Sequence, residues 1–264
     1  MRIARFLRAG QEAHGVVDPV QGTVREIEGP PFGSIRPTGR EHPLPGVRLL
    51  APVRPSKIVA VGLNYRDHAR EMGKKVPDEP LLFLKAPSAL NHPGGDVVYP
   101  PQSARVDFEA ELAVVIGRTA RNVKARDASG VILGYTCLND VTARDLQAKD
   151  GLYARAKGFD TFAPLGPWIE TEVDPAALPV RCLVNGEVRQ DGNTREMIAS
   201  PYDLVEFVSS VMTLFPGDVI ATGTPPGVGP VRVGDAMVVE IGGIGELVNR
   251  VVAHEGGPEA PRPD

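Results

Sequence analysis

The run Val106–Gly117, VDFEAELAVVIG, carries the densest chemistry in the chain. In an extended strand alternate side chains share a face. One face would then hold Val106, Phe108, Ala110, Leu112, Val114 and Ile116, while the other opens with Asp107, Glu109 and Glu111. Successive carboxylates on such a face stand about 7 Å apart. Carboxylates crowded on a half-buried surface raise one another's pKa unless a cation neutralises them. A hard divalent ion such as Mg²⁺ does this directly, because it takes carboxylate oxygens in octahedral geometry. A solvated acidic strand explains the same pattern without any function, and for an E-x-E alone that reading is the stronger one.

Other segments offer matching groups. Asp140 ends the apolar run Ile132–Asn139, where a strand should give way to a helix. It is either a site residue at a strand end or a helix N-cap. Arg144 and Gln147 follow three residues apart on one helical face, suited to a substrate carboxylate or to solvent. In NYRDHAREMG, residues 64–73, His68 and Glu71 stand at i and i+3. A carboxylate that fixes an imidazole makes a general base, although most such pairs lie idle on surfaces. Lys157 sits in the glycine- and proline-rich ARAKGFDTFAPLGPW, either anchoring an anion or simply exposed. The segment TGTPPGVG, residues 222–229, frees backbone N–H groups for an anion and offers the Thr224 hydroxyl. It lacks the Gly-Lys-Ser/Thr of a nucleotide loop.

These groups need a scaffold of many short elements. Gly 29 plus Pro 26 in 264 residues is a high share, spread between short apolar runs, which is the pattern of a turn-rich β fold. Strands are expected at 57–62, 81–85, 132–139, 219–222, 236–241 and 246–252, with a hairpin at Asn185-Gly186. Residues 64–73 should form a short helix with Asn64 as N-cap and Gly73 as stop, and 142–149 another. The clearest helix is 200–214. Ser200 should cap it, Pro201 should open it, and Leu204, Val205, Phe207, Val208, Val211 and Met212 should form its apolar face. Residues 1–50 read as a small β-hairpin module and a turn-rich linker over 29–46, residues 51–254 as the main domain, and 255–264 as a loose tail.

Composition narrows the function classes. Lys+Arg 29 against Asp+Glu 33 gives a net charge of −4, with no basic block to meet nucleic acid or an anionic membrane. No apolar run approaches the ~20 residues of a membrane span. The N-terminus lacks the apolar core of a secretion signal, so a cytoplasmic protein is expected. Cys137 and Cys182 stand far apart, which argues against a disulfide scaffold or a cysteine zinc site.

Taken in order, KIVAVGLNYRDHAREMG, LFLKAPSAL, DFEAELAVVIG, GYTCLNDVTARDLQ, AKGFDTFAPLGPW, MTLFPGDVIATGTPPGVGP and IGGIGELVN resemble the fumarylacetoacetate hydrolase family. The branch is that of bacterial 2-hydroxyhepta-2,4-diene-1,7-dioate isomerases and acylpyruvase-like enzymes, and the resemblance spans about Lys57 to Val252. It implies a mainly β (α+β) chain with few helices: a mixed β-sandwich roll and a small N-terminal β domain. It also implies a homodimer with Mg²⁺ or Mn²⁺ in each subunit. Carried over by motif, Glu109, Glu111 and Asp140 would hold the metal, with Asp107 behind them. His68 and Glu71 would be the catalytic dyad on a lid, with Lys157 as a further catalytic residue. Arg144, Gln147 and Thr224 would bind substrate. Asn64 stands where the longer fumarylacetoacetases supply an aspartate, so fumarylacetoacetate itself is not the expected substrate.

The resemblance implies action on a 2-oxo or 2-hydroxy-enoic acid through a metal-stabilised enolate. The expected activity is a 2-hydroxyhepta-2,4-diene-1,7-dioate isomerase, or an associated decarboxylase, of aromatic catabolism. Acylpyruvate hydrolysis and oxaloacetate decarboxylation are the alternatives. A non-catalytic binding module that kept the fold would have been suggested by loss of the carboxylates, and all are present. Side chains on the lid and in the 85–100 loop should shape the distal pocket.

Overall fold

Glycine and proline break the chain into twenty short strands and four α-helices in the computed structural model, which describes residues 1–255. The expected loose tail lies, but for its first residue, outside the described residues. The N-terminal segment forms β1 (Arg2–Arg8), β2 (Gln11–Asp18), β3 (Thr23–Ile27), β4 (Pro37–Pro43) and β5 (Arg48–Leu50). Next come β6 (Ile58–Gly62), α1 (Arg66–Glu71), β7 (Leu81–Lys85), β8 (Leu90–Asn91) and β9 (Asp96–Tyr99). The middle of the chain supplies β10 (Val106–Phe108), β11 (Ala110–Ile116), β12 (Ile132–Asn139), β13 (Thr142–Ala143), α2 (Arg144–Asp150) and α3 (Ala154–Lys157). The rest is β14 (Ala163–Glu170), β15 (Pro179–Val184), β16 (Glu187–Asn193), α4 (Pro201–Val211), β17 (Val219–Ala221), β18 (Gly229–Val231), β19 (Ala236–Ile241) and β20 (Gly245–Ala253).

The largest sheet runs β4-β3-β2-β1-β14-β12-β11-β17-β6-β7, with β5 and β8 attached at its side. A second sheet, β16-β15-β19-β20-β9, and a small one, β13-β10-β18, complete the mainly β architecture. β11 lies between β12 and β17, and all seven of its residues are buried. That is why its sequence ends in an unbroken apolar run instead of alternating. The approach of β12 to β14 requires Gly134, where a Cβ would meet Glu170 O at 2.4 Å.

The N-terminal strands have a small core of their own: Ala4, Phe6, Val17 and Val24, with Trp168 packed against it. They are nonetheless stitched to the rest, because β1 pairs with β14 at Arg2↔Glu170 and Ile3↔Ile169. Part of the span expected to be linker, 37–43, is strand β4. It tolerates its two prolines because it lies at the sheet edge, where a missing N–H breaks no ladder.

Several local expectations hold in detail. Asn185 (φ 53°) and Gly186 (φ 84°) form a two-residue hairpin turn between β15 and β16, the geometry that favours Asn-Gly. Ser200 and Asp203 form a capping box at α4, with Pro201 in its first turn. The buried face of that helix is narrower than the sequence suggests. Leu204, Val205 and Val208 are buried, but Val211 is exposed, and Ser209 is buried because its Oγ accepts the Val123 N–H at 3.0 Å.

Candidate active site

β10 and β11 are not one continuous strand. The chain breaks at Glu109, so β10 joins the small sheet and β11 the large one. The break turns a row of carboxylates into a cluster. Asp140 follows β12, whose Asn139 pairs with Ala110, and the Asp140 N–H donates to Glu109 O at 2.9 Å. Asn139 Oδ1 accepts the Glu109 N–H at 3.0 Å. Strand register thus brings residues about thirty positions apart side by side. Glu109, Glu111 and Asp140 offer oxygens that all lie within 4.8 Å of one another, and all three are buried. Asp140 is not a helix cap, since α2 begins after Ala143.

Three cations line this cluster. Lys157 donates to Glu109 at 2.7 Å and to Asp140 at 2.5 Å. Lys85 donates to Asp140 at 2.6 Å and is fully buried. Arg144 pairs with Glu109 and with Asp107, and its Nη1 donates to Gln147 at 2.7 Å. Asp107 therefore stands behind the cluster, held by Arg105 and Arg144. Burial pushes the Glu109 carboxyl up, but Lys157 and Arg144 outweigh it and hold the group at about 2. Glu111 goes the other way. Burial, then the charges of Asp140 and Glu109, drive its carboxyl well above the usual range, and its only hydrogen-bond donor among the described residues is the Gly223 N–H at 2.9 Å. Burial lowers the Lys157 ammonium's pKa, but Asp140, Glu109 and Glu111 more than reverse this.

The donor set fits a hard divalent cation. All oxygens are carboxylate, their span allows a shared ion, and Glu111 is a buried carboxylate with no paired cation among the described residues.

The dyad stands across the same cavity. His68 Nδ1 and Glu71 Oε2 are 2.8 Å apart on α1, and His68 is buried while Glu71 is half-exposed. Gly73 (φ 61°) stops the helix with the Gly73 N–H on Arg70 O and the Lys74 N–H on Ala69 O, the double bond of a glycine C-cap. Asn64 is not the N-cap. Its amide donates to Ala199 O and Thr222 O and accepts the Ala199 N–H, tying the start of α1 to two distant segments. The 222–229 loop does bind anions through its backbone, but they are the protein's own: Gly223 serves Glu111, and Gly227 donates to Glu71 at 3.1 Å. Thr224 Oγ1 donates to Ala110 O and accepts from Gln190.

One cavity of about 470 Å³ is lined by His68, Glu109, Glu111, Asp140, Arg144, Gln147, Lys157 and Thr224. Every site residue expected from sequence except Glu71 therefore borders it, and Glu71 is bonded to His68. Its outer walls are Met72, Lys74, Leu81, Phe83 and Tyr153, not the 85–100 loop. Lys85 is the residue that sequence reasoning passed over. The available signal was a lysine closing the apolar strand LLFLK, where nothing but a buried anion could hold it.

Comparison with known proteins shows the family of the chain. Residues 57–252 match the family model described as the C-terminal domain of fumarylacetoacetate hydrolase, and residues 1–52 match an Rv2993c-like N-terminal model. The chain is 47% identical over 219 residues to the mitochondrial oxaloacetate tautomerase FAHD2A of Homo sapiens, covering 78% of this chain and 70% of that one. It superimposes on the 2-hydroxyhepta-2,4-diene-1,7-dioate isomerase of Mycobacterium marinum with a TM-score of 0.90 and 47% identity, over 96% of this chain and 98% of that one. The maleylpyruvate hydrolase of Sphingobium sp. SYK-6, solved with manganese(II) and pyruvate, gives a TM-score of 0.80 at 34% identity, over 96% and 99% of the two chains. Among the described residues no helix is long and apolar enough to cross a membrane.

Proposed function

The chain belongs to the fumarylacetoacetate hydrolase family, and within it we propose a divalent-metal-dependent enzyme that shifts a proton on an enolisable 2-oxo or 2-hydroxy-enoic acid, a 2-hydroxyhepta-2,4-diene-1,7-dioate isomerase of aromatic catabolism. The observation that carries this reading is the cavity itself. It joins a buried triad of carboxylates, one of them with no paired cation among the described residues, to a carboxylate-held histidine.

Glu109, Glu111 and Asp140 would hold Mg²⁺ or Mn²⁺. The bound cation would supply Lewis-acid stabilisation of negative charge on substrate oxygens. Lys157 and Arg144 add fixed positive charge beside the triad, and Gln147 and Thr224 present polar groups to the same space. Glu71 keeps the imidazole proton on Nδ1, which leaves the Nε2 lone pair to take up a proton. His68 would then carry the proton between the two carbons of the shifting double bond, and Lys157 would balance the charge that develops.

Acylpyruvate hydrolysis is a second reading, favoured by the same dyad, which could instead deprotonate a water. Oxaloacetate tautomerisation and decarboxylation draw on the same enolate. The proposal also includes a homodimer, a cytoplasmic setting and a small N-terminal β domain with its linker over residues 1–50. A species of monomer mass alone in sedimentation at micromolar concentration would contradict the dimer.

A panel of a 2-hydroxy-dienedioate, an acylpyruvate and oxaloacetate, followed by ultraviolet absorbance in Mg²⁺ and then in EDTA, tests the function. Turnover of the dienedioate that EDTA abolishes is expected. Metal-independent turnover, or none with any substrate, overturns the reading.

A further inference from the structure

The triad and its cations account for only the inner end of the cavity. Its outer part is a corridor between two elements. Along one wall, the alternation of β7 places Leu81, Phe83 and Lys85 on the same side, at steps of about 7 Å. Lys85 grips Asp140 from behind the triad. Phe83 stands 5.2 Å from Lys157 Nζ and packs against Tyr153 with ring centroids 4.8 Å apart. Leu81 lies farthest out and is exposed. Another wall is α1 and its C-cap, where His68 and Met72 stand at i and i+4. Lys74 follows directly, its N–H fixed to Ala69 O, and this exposed residue borders the cavity. Beyond the inner cluster and His68, Lys74 is the only charged residue among the described ones that lines this space.

Resting on the reading above, we propose that the corridor is a distal subsite for a linear dicarboxylate. Its unsaturated middle lies flat between Phe83 and Met72, and its second carboxylate meets Lys74. Planar conjugated carbons suit the faces of Phe83 and Tyr153, which a flexible polar chain would not. A four-carbon keto diacid ends beside Arg144 and Lys157 and leaves the corridor unused. β7 thus serves as a gauge of substrate length, counted outward from the residue that holds Asp140.

The test is calorimetry on the intact protein in Mg²⁺ with three probes. Oxalate fills only the inner end. 2-Oxoheptanedioate reaches along the corridor, and 2-oxoheptanoate has the same length without the second carboxylate. Lys74→Gln should weaken 2-oxoheptanedioate about fivefold, as expected for one partly exposed ion pair, and leave the other two probes unchanged. Phe83→Ala should weaken both long probes about tenfold relative to oxalate. Long probes that lose nothing relative to oxalate in either variant would overturn the subsite while leaving the functional reading intact. Failure of the wild-type protein to bind oxalate in Mg²⁺ and in Mn²⁺ would remove the functional reading and the subsite with it.

Discussion

Asp218 and Glu111 are both fully buried carboxylates, and their surroundings are opposites. Asp218 accepts from the Ser56 N–H at 3.0 Å, the Ser56 hydroxyl at 2.6 Å, the Lys57 N–H at 3.2 Å and the Phe215 N–H at 2.8 Å, and it pairs with the Lys57 ammonium. It pins the end of the α4–β17 connection to the start of β6. Glu111 accepts one backbone N–H and faces two further carboxylates. A buried charge that is fully bonded stabilises structure, whereas one left under-bonded beside like charges marks a candidate binding site. Burial alone does not separate the two cases; the donor inventory does.

Substitutions should break this contrast unequally. The largest effect is on activity. Glu111→Gln and Glu109→Gln should each bring metal-dependent turnover to background and abolish Mn²⁺ binding in titration calorimetry, while Asp218→Asn should leave Mn²⁺ affinity within about twofold. Wild-type turnover in either glutamine variant would sink the ligand assignment.

Stability should show the reverse order. Asp218→Asn removes the charge that five donors were built around, and should cost about 3 kcal/mol in urea unfolding. Lys85→Met should cost a similar amount, because it leaves Asp140 with Lys157 as its only remaining cation. Glu111→Gln relieves repulsion, so the metal-free protein should melt at the wild-type temperature or higher. Glu109→Gln should melt lower, since Lys157 and Arg144 each lose a carboxylate partner. Equal melting shifts for the two glutamates would erase the distinction between them.

His68→Ala should separate chemistry from stability. α1 buries only His68 and Ala69, so the variant should unfold within about 1 kcal/mol of wild type. Hydrolysis should fall roughly 10²–10⁴-fold, decarboxylation little, and isomerisation by an intermediate factor. Glu71→Gln should follow it in direction, and the double variant should be scarcely worse than the worse single one. Full activity in both single variants would reduce the dyad to a surface pair.

The smallest effect extends the contrast to the N-terminal sheet. Glu26 there is bonded by His42 Nε2 at 3.0 Å and paired with Arg40. The His42 bond outweighs burial and, with Arg40, holds the Glu26 carboxyl below its usual range. A depressed carboxyl contributes stability above the unfolded value of about 4.3, and that contribution disappears as pH falls through the folded value. Glu26→Gln should therefore be less stable than wild type at pH 7, with the gap closing in urea titrations carried below pH 4. A gap that persists unchanged in acid would show that Glu26 contributes through packing, not charge.

Local order was legible wherever one segment decides its own shape. The limits of β7, β12 and β19, the Ser200 cap and the Asn185-Gly186 turn all follow from apolar runs, capping hydroxyls and residues that accept positive φ. β14 was hidden because APLGPWIE contains Gly166 and Pro167, which argue against a central strand. The structure accommodates them where the β12–β14 register shifts between Tyr135 and Cys137, so Pro167 has no ladder bond to make.

The sequence by itself determined which side chains are the candidates for chemistry: two glutamates two residues apart, an aspartate following a strand, and a histidine with its carboxylate one helical turn away. Their spacing is local. Only the tertiary structure decided that the strand breaks at Glu109, that Lys85 and Lys157 each take one oxygen of Asp140, and that Glu111 pairs with no cation among the described residues. Those facts depend on β12 lying beside β11 in one register and on β7 and α3 reaching the same point. Charge balance in a buried site is a sum over groups distant in sequence, so no single stretch of the chain contains it.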